Sequence, residues 1–154
     1  DALKQKANCL YSLENYKDAI PIFTRLLLFN SEDFQVYLKR ARAKYFLEDY
    51  SGALQDCNQA IIYSSKNLVG TSQLWISSSY CFRGEVKIRL LDGEGALNDF
   101  NKAIEIDSSN GIAYFERGKL RALVFDDKEN GCLDLSRAGD LGVDVYDFIS
   151  VFCK

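Results

Sequence analysis

The sequence predicts an all-α solenoid of paired helices, and three observations carry that prediction. Small residues recur in one column at Ala7, Ala41, Gly84 and Gly118. Twelve residues on, Ala19, Ala53 and Ala96 make a second column, with Gly131 thirteen on in the last unit. The steps between units are 34, 43 and 34 residues, so nine residues are inserted between the second unit and the third. A period of this length, punctuated by small residues, marks stacked helix pairs in which each unit covers its neighbour's apolar face. The expected layout is a single domain over residues 1–154. Its hairpins fall at about 1–33, 34–66, 67–109 (with the insertion) and 110–142, and a C-terminal helix follows over 143–154.

The first unit opens with Leu3, Ala7 and Leu10 at the i, i+4, i+7 spacing of an amphipathic helix. A turn at Glu14-Asn15 leads to a second helix from about Lys17 to Phe29, with Ala19, Phe23 and Leu26 facing inward. Pro21 is the only proline and is expected near that helix's first turn, where a missing N–H costs little. The second unit repeats the pattern with Tyr37, Ala41, Tyr50, Ala53, Cys57 and Ala60. The third carries Tyr80, Gly84, Ala96, Phe100 and Ala103, and the fourth Tyr114, Gly118, Gly131, Leu135 and Ala138. Around the insertion, Gly70 and the Thr71/Ser72 pair read as a loop ending in a helix cap, with the next helix over about Ser72–Leu91. The first turns of that helix, with Trp75, are expected to project beyond their neighbours or to fill a gap beneath the insertion.

Composition narrows the function. The chain is 47% apolar, 27% charged and carries a net charge of −3, which suits a globular protein and is poorly matched to nucleic acid. No stretch approaches the roughly 18 apolar residues of a membrane span. There is no histidine, which removes Ser-His-Asp and Cys-His arrangements and the commonest acid–base group. An enzyme is not expected, nor a metal or other cofactor. Five scattered cysteines without C-x-x-C spacing argue against zinc and against a disulfide framework, although Cys132 and Cys153 remain free to pair. The chain starts inside a helical pattern and lacks methionine, which reads as a fragment or processed chain. The compartment is left open, with a lean toward the cytoplasm.

The columns together resemble the tetratricopeptide repeat (TPR). They include the turn aromatics Tyr16 and Tyr50, the Ala19/Ala53/Ala96 column, Phe23/Phe100, and Leu26/Ala60/Ala103/Ala138. The proline that often closes such repeats is replaced by Ser31, Ser65 and Ser108, which are expected to cap the following helix. Gly93 and Lys128 replace the turn aromatic in later units, so looser hairpins are expected there. The closing ENGCLDLSRAGDLG stretch and the short helix ending FCK are similar to the last repeat of bacterial TPR proteins. The resemblance implies a right-handed superhelix and a non-catalytic protein–protein interaction module.

In such folds the first helix of each pair lines a concave face. Moving one residue on from the buried stripe rotates about 100° around a helix. The groove residues this gives, with flanking positions, are Lys4, Asn8, Tyr11, Lys39, Arg42, Tyr45, Phe82, Glu85, Arg89, Phe115 and Lys119. Leu38, Cys81, Ile88 and Ala122 occupy the same stripe, and Glu116 flanks it. Five positive charges face two negative ones on this surface, so the expected partner is a protein segment, acidic in character. Some TPR co-chaperones grip a partner's terminal carboxylate with five residues. Here Lys4 and Asn8 match the first two, while Lys39, Ser78 and Phe82 replace the other three, so that clamp is not expected.

The last segment, VDVYDFISVFCK, lacks the polar outer face of a solenoid end. Val145, Phe148 and Phe152 form one stripe, expected to cover the fourth hairpin. Tyr146, Ile149 and Cys153 form another, which either lies against that hairpin or awaits a partner. A structural self-assembly unit, a homodimer formed through this helix, is the alternative to groove binding.

Overall fold

The computed structural model describes residues 2–66 and 72–153, so the expected loop at Gly70 and Thr71 lies outside the described residues. Among these residues the structure is helical throughout, without strands. In order the helices are α1 (Ala2–Ser12), α2 (Tyr16–Phe29), α3 (Phe34–Phe46), α4 (Tyr50–Lys66), α5 (Gln73–Arg89), α6 (Gly93–Ile106), α7 (Gly111–Leu123), α8 (Lys128–Asp140) and α9 (Tyr146–Phe152). They form two compact units, residues 1–71 with α1–α4 and residues 72–154 with α5–α9.

Each pair is built by the same turn. A residue with positive φ ends the first helix: Glu14, Glu48, Leu91 and Asp126 at φ of 58°, 62°, 62° and 53°. Next comes Asn15, Asp49, Asp92 or Asp127, whose side chain accepts a backbone N–H of the second helix. This satisfies one of the donors that a helix start leaves open. At the other junctions Asp33, Ser72 and Asn110 cap α3, α5 and α7. Ser72 was expected in this role. Ser31 and Ser108 were expected as caps and are not; the helices begin two residues later than they would require, at Asp33 and Asn110. Ser65 lies inside α4. Pro21 likewise sits at the sixth residue of α2, past the first turn, where its exposure lets water reach the carbonyl left without a donor.

The small columns are crossing points. Ala7, Ala41, Ala19, Ala53 and Ala96 are fully buried. A Cβ on Gly118 would lie 2.9 Å from the Gly131 carbonyl oxygen, and one on Gly131 would lie 2.9 Å from the Gly118 oxygen. The α7/α8 hairpin is therefore packed backbone to backbone, not loosely as expected from the missing turn aromatic. In α5/α6 the space above Gly84 is taken by the Phe100 ring. In unit 1 the core gathers Ala7, Ala19, Phe23, Leu27 and Val36. In unit 2 it gathers Cys81, Ala96, Phe100, Ala103, Ala113 and Leu120.

One recurring device went unread in the sequence. Arg40 and Lys44 of α3 both reach Asp56 of α4, at 2.6 and 2.9 Å. Arg83 and Lys87 reach Asp99 at the same distances, and Arg117 and Arg121 reach Asp134 at 2.6 and 2.7 Å. The guanidinium groups of Arg40, Arg83 and Arg117 are bidentate, and each lies over a tyrosine three residues back: Tyr37, Tyr80 and Tyr114. The aspartates are buried, so the two cations supply the pairing that a desolvated carboxylate requires. The first unit has Lys6, Leu10 and Ile22 at the matching positions and no such triad.

The insertion goes largely into longer helices. α4 and α5 have 17 residues each, against 11 to 14 in the other helices of the four pairs. The first residues of α5 are exposed, Trp75 at 44%, and burial begins at Ile76.

Candidate functional site

Two of the helices expected to line a groove, α1 and α3, lie in unit 1. Lys39 of α3 donates through Nζ to Asn8 Oδ1 of α1 at 2.6 Å. One turn away, Lys4 donates to Asp33 Oδ2 at 3.0 Å. Asp33 is fixed in place because its other oxygen caps α3, accepting from the Gln35 and Val36 N–H groups at 3.1 and 3.2 Å. Burial, followed by the neighbouring Lys4 charge, lowers the Lys39 pKa below that of an ordinary lysine; Asp33 works in the opposite direction. Sequence reasoning brought Lys4, Asn8 and Lys39 to one surface. It missed Asp33, whose spacing before an apolar run is a helix-start signal.

The aromatic residues beside this cluster are anchored in the packing. Tyr11 meets Tyr16 and Phe23 edge-on, with centroids 5.5 and 6.3 Å apart. Tyr45 meets Phe46 and Tyr50 in the same manner. Arg42 is exposed. Among the described residues, two half-buried ammonium groups, one amide and the Asp33 carboxylate meet here, an arrangement suited to an anion.

Unit 2 holds the other candidates. Phe82 is buried at 6% exposure, leaving little of its ring for a partner. Glu85 is half-buried and Arg89 exposed. Lys119 pairs with Glu116 at 2.7 Å, and its Nζ lies 4.5 Å from the Phe115 ring centroid. The ring of Phe148, from α9, stands edge-on to Phe115 at 5.3 Å and places its centroid 5.8 Å from Lys119 Nζ. Two expected groove residues are thus covered by the chain's own last helix.

That helix is tied down covalently. Cys132 of α8 and Cys153 form a disulfide across 21 residues, with Cα atoms 5.6 Å apart. This is the one pairing that the cysteine spacing left open, and the α8–turn–α9 return brings the two distant positions together. Of the others, Cys9 is exposed and Cys57 and Cys81 are buried thiols. Among the described residues no group of three or more His, Cys, Asp or Glu could hold a metal, and no helix is long and apolar enough to cross a membrane.

No protein-family model matches the chain. Sperm-associated antigen 1 of Rattus norvegicus is 36% identical over 73 residues, 47% of this chain; the chain spans only 8% of that relative's length. Among solved structures, MamA from Desulfovibrio magneticus RS-1 superposes with a TM-score of 0.76 at 16% identity, covering 90% of this chain and 73% of that one. The first TPR of Spaghetti (RPAP3), bound to the HSP90 peptide SRMEEVD, superposes with a TM-score of 0.70 at 23% identity, covering 80% and 91%. With the all-helical structure, these likenesses identify the fold as a TPR helical solenoid. They do not establish the bacterial lineage expected from the closing stretch.

Proposed function

We propose that this TPR array is a non-catalytic interaction module that holds an acidic segment of a partner protein on the face formed by α1 and α3. The observation that carries the reading is the Lys4–Asn8–Lys39 cluster, where Lys39 remains partly buried beside a second cation. Peptide binding by structural neighbours of the same fold supports it, since the HSP90 peptide SRMEEVD carries three carboxylate side chains. An anionic ligand would relieve the repulsion between the two lysines, at the cost of competing with Asp33 for Lys4.

Ser78 and Phe82 stand where a terminal-carboxylate clamp has Lys and Arg, and neither offers a cation. Recognition therefore falls on side-chain carboxylates and not on the peptide's end. Fluorescence anisotropy with labelled SRMEEVD, in free-acid and C-terminally amidated forms, tests this. The two forms should bind within about threefold of each other, and both should weaken with added salt. No binding by either form, or loss on amidation alone, would refute the reading.

A second reading is favoured by α9. Tyr146 and Val151 are 77% and 66% exposed, and a hollow of about 420 Å³ lies among Val143, Val145, Tyr146 and Ile149. An exposed apolar patch of this kind suits self-association. Light scattering at tens of micromolar would show a dimer if that surface is used, and a monomer would remove the idea.

A further inference from the structure

Helix α9 cannot stand by itself. It has seven residues, none of them buried, and its N-cap makes no side-chain hydrogen bond. Isolated helices shorter than about 12 residues are marginal in water. Its attachments include Val145 against Gly139, Phe148 against Phe115 and Lys119, and the Cys132–Cys153 disulfide. Phe148 also borders a hollow of about 270 Å³ whose walls include Ile88, Leu120, Leu123 and Val124. So the apolar bed beneath α9 is larger than the ring that fills it. Residues 143–152 carry two carboxylates, Asp144 and Asp147, and no basic side chain.

We propose that α9 is a redox-released cover. With the disulfide closed it seats Phe148 on the groove positions of α7; with the disulfide open it yields that seat to an acidic partner segment bearing an aromatic side chain. The inference goes beyond the reading above, to a second surface within unit 2, where α9 regulates access to Phe115 and Lys119. The seat itself states the partner chemistry: an aromatic edge, an ammonium group and an apolar hollow.

Opening needs a reductant, here a dithiol. One of its thiolates attacks a sulfur of the partly exposed disulfide, breaking the S–S bond and forming a mixed disulfide. The released cysteine thiolate takes a proton. The second thiolate of the dithiol then displaces the other cysteine, which is also protonated. Two electrons and two protons pass to the protein, and the dithiol leaves as a cyclic disulfide. Once open, the 21-residue loop no longer restrains α9.

Two measurements on the full chain test this. Hydrogen exchange of residues 146–153 should accelerate at least about tenfold when dithiothreitol opens the disulfide, with α7 and α8 unchanged. Equal exchange in both states overturns the cover. The second measurement uses a labelled peptide of sequence VDVYDFISVF as probe. It should bind the Cys132→Ser/Cys153→Ser variant at least about tenfold more tightly than the oxidised chain. Adding Phe148→Ala, which clears the tethered competitor, should tighten it again. Equal probe affinity in oxidised and serine forms, or retention of binding after Phe115→Ala in the serine form, overturns the seat. A helical circular-dichroism spectrum like that of the oxidised chain shows that the variants are folded. Failure here is distinguishable from failure of the groove reading, because exchange needs no ligand and SRMEEVD is directed at Lys4 and Lys39.

Discussion

Asp99 receives Arg83 through two hydrogen bonds of 2.6 and 2.9 Å while its side chain is only 4% exposed. Lys87 completes the neutralisation from one turn further along the same helix, at 2.9 Å. Asp56 and Asp134 repeat the arrangement, so three of the four hairpins are locked by a carboxylate between two cations. Removing the aspartate leaves two largely buried cations, their side chains 19% and 18% exposed in the case of Arg83 and Lys87, without their counter-charge.

Asp99→Ala is therefore expected to destabilise the protein by about 3–5 kcal/mol, because Arg83 and Lys87 lose their counter-charge. Urea unfolding would check it. A loss below about 1 kcal/mol would mean that the triad is an exposed pair in effect.

The Gly118–Gly131 crossing gives a test whose sign matters. In an ordinary helix Gly→Ala gains about 1 kcal/mol from propensity. Here the added Cβ meets a backbone oxygen at 2.9 Å, and backbone cannot swing aside as a side chain could. Gly131→Ala is expected to lose about 1–3 kcal/mol instead. A stabilised variant in thermal unfolding would contradict the close crossing.

Lys39 sets a pH dependence. Its folded-state pKa is lowered, by burial first and by Lys4 second, so above that value the unfolded chain binds more protons than the folded one. Stability contributed by this residue thus rises with pH from the lowered pKa up to the ordinary lysine value near 10.5. Lys39→Gln should flatten that alkaline rise, as seen by urea midpoints at successive pH values. An unchanged slope would show that Lys39 titrates normally.

Much of the architecture was legible because it is written in a period. The columns at Ala7, Ala41, Gly84 and Gly118 mark where paired helices cross closely, and at Gly84 and Gly118 not even a methyl fits without a shift. The triads were equally periodic, with a basic residue four places after each arginine and an aspartate 16 or 17 places on, but charges on helices are usually solvated, so the pattern by itself does not announce burial. Asp33 and Asn110 escaped as caps because the serines before them satisfied the same rule. The disulfide and the seat of Phe148 depend on the path of one short turn after α8. No spacing in the sequence specifies that path. Groove positions followed from helical rotation alone, which fixes direction and says nothing of Phe82 being buried or Phe115 being covered.

The most direct test is amide chemical-shift mapping of the labelled chain titrated with SRMEEVD. Binding by the Lys4–Asn8–Lys39 cluster should move the resonances of α1 and α3 around Asn8 and Lys39, and Lys39→Glu should abolish those shifts. Shifts confined to α2 and α4, or shifts that survive Lys39→Glu, would contradict it.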